Sequence, residues 1–248
     1  MPSHPIIDTY CTPGTERETL LAPEELLGEM DRAGIHQALI APEDGEIAVE
    51  NRAGNDRILE MAGRSNGRFL PACTVNPWFG EAGCSEFRRA VRAGARMLVL
   101  APALQGFCLG DVVTNPLLTA AAELRVPVYV HTGPHSSSAP TQLVLLALEH
   151  PGARFILGHF GSTDYAHDMP FVLQTAPANV WFETSLARPW AVAAYVKMVD
   201  ESRLIFGSSA PRGDPAYELE HLDTFWPVAE HPGTYGGNLA RLIEEVRC

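Results

Sequence analysis

Two histidines stand where apolar segments of the chain end. His131 closes the run "VPVYVHTG" and His159 closes the run "ARFILGHFG". An imidazole has an ordinary pKa of about 6.5, so it can take or give a proton near neutral pH. A single histidine after a strand is more often a structural residue. The pair of matching positions is what indicates a catalytic site.

The first apolar segment, "IIDTYCTPG", also ends in polar residues. Side chains alternate faces along a strand, so we expect Asp8, Tyr10 and Thr12 on one face and Thr9 and Cys11 on the other. Tyr10 could donate a hydrogen bond to a developing oxyanion, which makes it the third candidate catalytic residue. The candidates for substrate binding are Arg212, Arg188, Thr12, Ser209 and Asn76.

Two arginines follow the last two apolar segments, "NVWFETSLARPW" and "RLIFGSSAPRGDP". Arg188 and Arg212 could each clamp a substrate carboxylate, because a guanidinium binds a carboxylate in a bidentate way. Bracing of a surface loop is the alternative role for either one. The same segments bring Glu183, Thr184 and Ser185 to a strand end, whereas the fourth segment has no polar side chain before Gln105.

Short apolar segments alternate with stretches of helical spacing along the whole chain. This alternation is typical of a (β/α)8 TIM barrel, in which active sites lie at the carboxyl ends of the strands. A doubly wound open sheet fits less well, because no GxGxxG follows the first strand. We expect one domain over residues 1–248, with strands at 4–11, 35–41, 68–75, 95–101, 126–131, 153–159, 179–184 and 203–208.

The composition narrows the class of partner. The formal net charge is -12, which leaves no basic surface to neutralise phosphates, so we expect a small-molecule substrate and neither nucleic acid nor membrane as a partner. Five cysteines without a CxxC pair favour a reducing compartment, and the amino terminus has no signal-peptide pattern, so we expect a cytoplasmic protein. Assembly into a homo-oligomer stays open.

The order of the motifs resembles the amidohydrolase-related family of the amidohydrolase superfamily. This is the branch of aminocarboxymuconate semialdehyde decarboxylase, resorcylate decarboxylases and pyrone-dicarboxylate lactonases. The resemblance covers essentially the whole chain, and it is carried by "NDRILEMAGRSNGRFLPACTVNPW", "LRVPVYVHTG", "PGARFILGHFG" and "YGGNLARLI". It implies an amidohydrolase-like TIM barrel with its site at the strand ends.

The resemblance also implies a divalent metal, but most ligand positions are substituted here. The family's His-x-His on the first strand corresponds to Tyr10 and Thr12, and the aspartate that ends the eighth strand corresponds to Ser209. The lysine and histidine that members often carry on the fourth strand correspond to Val99 and Ala101. Of the family's polar core, only the histidines of strands five and six are retained, as His131 and His159.

A catalytic zinc needs about three ligands from His, Asp, Glu or Cys, and the aligned positions supply two. We therefore expect no cofactor and a metal-independent hydrolase, lyase or isomerase that acts by histidine acid–base catalysis on a small carboxylate- or carbonyl-bearing metabolite. The first alternative is a catalytically inactive protein that binds a metabolite or a partner subunit. The second is a metal-dependent hydrolase or decarboxylase with an atypical ligand set, for which Cys11, His135 and Asp164 are further candidate ligands.

Overall fold

The structure is a computed structural model that describes residues 5–16, 19–133, 135–162 and 164–247. Within these residues, eight parallel strands pair in chain order around a barrel. The predicted (β/α)8 TIM barrel is therefore confirmed. The barrel strands are β1 (Ile7–Cys11), β4 (Gln37–Ile40), β5 (Phe69–Thr74), β6 (Met97–Leu100), β7 (Pro127–His131), β8 (Arg154–Gly158), β9 (Val180–Glu183) and β10 (Leu204–Ile205).

The last strand meets the first through backbone hydrogen bonds beyond the end of β10. The Thr12 N–H donates to the carbonyl of Ala210 at 2.7 Å, and the Ser209 N–H donates to the carbonyl of Tyr10 at 3.0 Å. An isolated parallel bridge joins Cys11 to Ala210. These contacts bring the loop after β10 against the end of β1, so the polar residues of both strand ends lie together.

Helices follow the strands and cover the outside of the barrel. Proline occupies the first turn of several of them, where its missing N–H costs no hydrogen bond. The helices are α1 (Pro23–Ala33), α2 (Asp44–Ala48), α3 (Asn51–Arg64), α4 (Gly80–Arg92), α5 (Pro102–Gln105), α6 (Asn115–Leu124), α7 (Pro140–Glu149), α8 (Met169–Thr175), α9 (Pro189–Tyr195), α10 (Pro215–Phe225) and α11 (Asn238–Glu244).

The buried apolar residues form two cores. The larger one lies between the strands and the surrounding helices and includes Cys11, Leu98 and Phe155. The smaller one fills the barrel and includes Val99 and Tyr129, together with residues of α11. Because Val99 and Ala101 belong to the inner core, the fourth barrel strand, β6, contributes packing and no polar group to the barrel interior.

Each predicted strand overlaps an observed one, and the largest differences are at the ends. Residue 4, the start of the first predicted strand, lies outside the described residues. The chain adds an antiparallel hairpin that the sequence did not predict, formed by β2 (Gly14–Glu16) and β3 (Thr19–Leu21).

The expected alternation along the first strand is wrong. The register of β1 against β4 shifts between Asp8 and Cys11, which is the mark of a bulge. As a result Ile7 and Tyr10, which have opposite parity, both belong to the inner core. The Asp8 carboxylate lies against the segment after β10, where one of its oxygens accepts a hydrogen bond from the Ser208 hydroxyl. Cys11 contacts the same hydroxyl at 3.8 Å.

No helix in the described ranges is both long and apolar enough to cross a bilayer. The cysteines at positions 11, 73, 84 and 108 are free thiols. Burial raises the pKa of Cys11 and of Cys73 above the ordinary value, so neither thiol is poised to ionise. Cys248 lies outside the described residues.

Candidate active site

The two histidines lie side by side at the carboxyl end of the barrel. Strands β7 and β8 are parallel neighbours in a register that pairs His131 with Gly158, the residue before His159. The Nδ1 atom of His131 is 2.9 Å from the Nε2 atom of His159, a hydrogen-bond distance. The fold therefore brings together the two histidines that the sequence places at the ends of adjacent strands.

A buried carboxylate lies behind His159. The Nδ1 atom of His159 is 2.9 Å from the Ser185 hydroxyl, which donates to Oε2 of Glu183 at 2.9 Å. The backbone N–H of His159 and the phenol of Tyr129 donate to the same carboxylate oxygen at 3.0 Å and 2.9 Å. Glu183, Ser185 and Tyr129 are fully buried. A continuous row of hydrogen bonds thus runs from His131 to Glu183.

Tyr10 packs against this row from the end of β1. Its ring stacks on Tyr129 with 4.9 Å between the ring centroids, and it meets His131 edge-on at 4.7 Å. The bulge in β1 is what turns Tyr10 toward these rings. The three candidate catalytic residues, Tyr10, His131 and His159, are therefore brought together in one cluster.

Strained backbone is concentrated around the cluster. A positive φ occurs at His159 (70°), Phe160 (43°), Ser162 (45°), Leu186 (55°) and Ser209 (60°). Such left-handed conformations cost a non-glycine residue on the order of 1–3 kcal/mol and occur mainly at functional sites. The loops after β8, β9 and β10 hold their side chains in place at this cost.

Burial favours the uncharged form of each group in the cluster, so it lowers the pKa of the histidines and raises the pKa of the glutamate. It lowers the pKa of His159 to about 3 and that of His131 well below the ordinary value, and the positive charge of Arg212 lowers both further. Burial raises the pKa of Glu183 to about 7, although its hydrogen bonds oppose the shift. Both histidines are therefore neutral near pH 7, and the carboxyl group is the one that titrates there.

Two buried polar atoms beside the strand ends have no hydrogen-bond partner in the described part of the chain. They are Nε2 of His131 and Oγ of Ser209. An unsatisfied buried polar group costs about 1–3 kcal/mol. His131 is thus the member of the histidine pair with a ring nitrogen left over for a ligand.

A cavity of about 250 Å³ opens beside the histidines. Arg212 and Asp44 face it and form an ion pair at 3.1 Å. The cavity is otherwise lined by Ala101, Ala103, Leu104, His131, Gly133, His135, Ser138, His159, Ser162 and Leu186. It therefore combines apolar walls, a cation and the imidazole pair, which is the usual make-up of a small-molecule site.

Not every predicted substrate-binding residue lines this cavity. Arg188 is exposed at the start of α9, and Asn76 holds the carbonyls of Ala48 and Gln105 with its amide group. Thr12 and Ser209 are buried beside the end of β1 but are not lining residues. Of the five, Arg212 alone lines the cavity within the described residues.

Sequence reasoning missed two residues of the arrangement. Tyr129 lies two positions before His131 and hence on the same face of β7, a signal that could have found it. Asp44 is the first residue of α2 and carries no local signal, because only the folded chain brings it to Arg212. Glu183 and Ser185 were recognised as polar strand-end residues without a role.

A larger groove, about 530 Å³, lies on the surface between α3 and α4. Its charged residues Glu86 and Arg89 bind each other at 2.7 Å. Because none of the described residues that line this groove is a histidine, the smaller cavity is the better candidate for chemistry.

Comparison with known proteins identifies the relatives of this site. A family model described as amidohydrolase matches residues 18–243. The chain belongs to the amidohydrolase family. None of the curated proteins matches it. The sequence-based resemblance to this family is thus confirmed.

Several solved structures share the fold of this chain. An uncharacterised TIM-barrel protein from Bordetella bronchiseptica matches with a TM-score of 0.75 and 16% identity over 98% of this chain and 99% of that one. 2,6-Dihydroxybenzoate decarboxylase from Rhizobium matches with a TM-score of 0.76 and 16% identity, over 97% of this chain and 99% of that one. 5-Carboxyvanillate decarboxylase from Novosphingobium aromaticivorans matches with a TM-score of 0.79 and 17% identity, over 98% of this chain and 97% of that one. That structure was solved with manganese and 4-hydroxy-3-methoxy-5-nitrobenzoic acid. Identities this low show a common fold.

The metal that amidohydrolase membership implies can be tested against the donor groups present. Across the described ranges, no group of three or more His, Cys, Asp or Glu side chains is placed to hold a metal ion. Tyr10 packs in the aromatic cluster, Thr12 is buried, and Ser209 offers a neutral hydroxyl. Neutral hydroxyls are weak ligands beside imidazole and carboxylate, so this donor set does not fit the family's metal.

Proposed function

We propose that this protein is a metal-independent enzyme that acts on a small carboxylate- or carbonyl-bearing metabolite by histidine acid–base catalysis. The observation that carries the proposal is the pairing of His131 with His159 at 2.9 Å, in which Nε2 of His131, a residue that lines the cavity, has no hydrogen-bond partner among the described residues. A ring nitrogen with a free lone pair can accept a substrate proton, and the second imidazole fixes the orientation of the first.

The other residues take supporting roles in this proposal. Tyr10 contacts the ring of His131 from the buried side, and in this proposal its phenol would polarise the carbonyl of a substrate held at His131. Arg212 would hold the carboxylate, because it lines the cavity as a cation. No step needs a metal, which agrees with the poor donor set.

The size of the cavity supports a small substrate. A cavity of about 150 Å³ can hold a benzene ring, so about 250 Å³ suits a metabolite with a single ring or of comparable size. Two of the structural neighbours are decarboxylases of single-ring acids. Lysis of a carbon–carbon bond and hydrolysis of a lactone or ester both need proton transfer beside a carboxylate or carbonyl, so both reactions belong to the proposal.

A metabolite-binding protein without catalysis is the second candidate. The observation that favours it is the substitution of the family's metal positions by Tyr10, Thr12 and Ser209. Function does not follow from fold once site residues change. The intact histidine pair and its buried support favour the enzyme.

A solvent-isotope screen separates these candidates. Small aromatic and aliphatic carboxylates, lactones and ketones are incubated with the protein in D₂O with and without a chelator, and conversion and deuterium uptake are followed by NMR and mass spectrometry. We expect conversion or exchange that survives the chelator and falls by about 10²-fold or more in His131→Asn and His159→Asn.

Other outcomes would contradict the proposal. Conversion that returns only after addition of Mn²⁺ or Zn²⁺ would overturn its metal-independent part. A compound that raises the Tm but is recovered chemically unchanged and undeuterated would favour the binding protein. Conversion that is undiminished in both histidine variants would overturn the acid–base mechanism.

A further inference from the structure

Four hydrogen-bonding groups form an unbroken row from the cavity to a buried carboxylate. The row runs from His131 through His159 and Ser185 to Glu183, and each of its three contacts measures 2.9 Å. Every member except His131 is nearly or completely buried. His159 and Ser185, the two inner groups, can each both donate and accept a hydrogen bond. The protonation state of Glu183 at one end therefore fixes which ring nitrogen of His131 carries the hydrogen at the other.

When Glu183 is ionised, the direction of every bond in the row is determined. The carboxylate only accepts, and it receives hydrogen bonds from Tyr129, from the Ser185 hydroxyl and from the backbone N–H groups of His159 and Ser185. The single hydrogen of the Ser185 hydroxyl is used there, so its oxygen must accept from Nδ1–H of His159. Nε2 of His159 then accepts from Nδ1–H of His131, and Nε2 of His131 carries a lone pair.

When Glu183 is protonated, the whole row reverses. The carboxyl O–H donates to Ser185, whose hydroxyl then donates to Nδ1 of His159. Nε2–H of His159 donates to Nδ1 of His131, and Nε2 of His131 now carries the hydrogen. The same ring nitrogen is a base in the first state and an acid in the second.

We propose that Glu183 and Ser185 are positioning residues of a proton relay that converts His131 between a neutral base and a neutral acid. This inference rests on the proposed function of the site. In the forward step a substrate bond to hydrogen breaks and Nε2 of His131 gains the proton. One proton then moves from His131 to His159, one from His159 to Ser185 and one from Ser185 to Glu183. The substrate loses one proton, the Glu183 carboxylate gains one, and both imidazoles stay neutral.

The electrostatics explain why the carboxylate, and not an imidazole, keeps the proton. Burial and the charge of Arg212 disfavour an imidazolium at His131 or His159, and they lower the pKa of both. Burial raises the pKa of Glu183 to about 7, so the carboxyl exchanges a proton near neutral pH. Glu183 is coupled to Tyr129 on β7 and to Glu218 on α10.

The relay can be observed without knowledge of the substrate. In protein labelled with ¹⁵N-histidine, long-range ¹H–¹⁵N correlation spectra report which ring nitrogen carries the hydrogen. We expect both histidines to be Nδ1–H tautomers at high pH and Nε2–H tautomers at low pH, with a shared midpoint near the Glu183 pKa of about 7 and no imidazolium. An ordinary imidazolium in this range, or tautomers that do not change, would overturn the relay.

Two matched variants test whether Glu183 controls the change of histidine tautomer with pH, which we call the switch. Glu183→Gln removes the titrating group and should abolish the tautomer change. Glu218→Gln removes a buried carboxyl group that lies near Glu183 but outside the row, so the tautomer change should remain, with its midpoint nearly unchanged because burial raises the pKa of Glu218 to about 8 and keeps it mostly protonated at pH 7. A switch that disappears in Glu218→Gln and persists in Glu183→Gln would contradict the assignment.

Ser185 provides a second test that keeps the carboxylate in place. Ser185→Ala should uncouple the histidine tautomers from pH, and Ser185→Thr, which restores a hydroxyl, should recover the coupling. In the isotope screen, loss of the relay should remove the inflection near pH 7 from kcat and leave KM nearly unchanged. If the tautomers change with pH but no compound is converted, the relay is supported and the proposed function is rejected. If conversion depends on His131 but the tautomers do not change, the proposed function is supported and the relay is rejected.

Discussion

Arg212 is the cation that a carboxylate-bearing ligand would meet in the cavity. It is about a third exposed and is paired with Asp44 at 3.1 Å. A hydrogen bond to a charged group contributes about 1.5–3 kcal/mol, so Arg212→Gln should weaken carboxylate ligands found in the isotope screen by about 10- to 100-fold. Calorimetric titration would measure this, with the amide of each ligand expected to bind both proteins equally.

Arg188→Gln is the matched control for this prediction. Arg188 is exposed at the start of α9 and does not line the cavity, so its removal should leave the affinity for carboxylates unchanged. An effect confined to Arg188→Gln would show that the wrong arginine has been assigned. Arg212→Gln should also raise the pKa of His131 and of His159, because the charge of Arg212 lowers both.

A glycine stands at the end of β8 and another follows β10, each at a position where a side chain would collide with Tyr129 or Glu183. A Cβ on Gly158 would lie 2.5 Å from the Tyr129 hydroxyl, and one on Gly207 would lie 2.2 Å from Oε1 of Glu183. Both distances are below any real Cβ contact, and both neighbours are buried. The two glycines thus make room for the Glu183 carboxylate that ends the row and for the Tyr129 phenol that donates to it.

Gly207→Ala should therefore displace Glu183 and destabilise the protein. Overpacking of a buried site costs about 1–3 kcal/mol. The control is Gly28→Ala on the exposed face of α1, where a Cβ meets nothing and the gain in helix propensity should stabilise by up to about 1 kcal/mol. Urea denaturation measures both, and equal stability of Gly207→Ala and the parent protein would contradict the packing argument.

Buried acids and bases make the stability of the whole protein depend on pH. Above about pH 7, His131 and His159 carry little charge in either the folded or the unfolded state. The unfolded glutamates are ionised, whereas in the folded protein the pKa of Glu183 is raised to about 7 and that of Glu218 to about 8. The folded state binds more protons, so the free energy of unfolding should fall as pH rises through these values.

Each carboxyl contributes up to about 1.4 kcal/mol per pH unit to this decline. Below about pH 6.5, His131 and His159 gain protons in the unfolded state but stay neutral in the folded state, which opposes the carboxyl effect and places the stability maximum at about pH 5.5. Urea denaturation from about pH 5 to 9 would test this. Glu218→Gln should flatten the alkaline decline, and stability that increases from pH 6.5 to 8 would contradict the prediction.

Local periodicity in the sequence was enough to predict the barrel. Apolar runs alternate with helical spacing, and the strands follow one another around the barrel in chain order, so neighbours in sequence are neighbours in space. The meeting of His131 and His159 follows from this order alone, because both stand at the ends of adjacent parallel strands. The family resemblance rested on motifs of the same local kind.

Only the tertiary structure decided which side chains act together. The bulge in β1, which puts Tyr10 and Ile7 on the same side, depends on how β1 is held between β4 and the loop after β10. Arg212 lines the cavity and Arg188 does not, and this difference depends on the paths of the loops after β9 and β10. The row from His131 to Glu183 depends on side-chain contacts of 2.9 Å between the ends of three neighbouring strands. A hydrogen bond fails within a fraction of an ångström, and a residue pattern does not specify distances that fine.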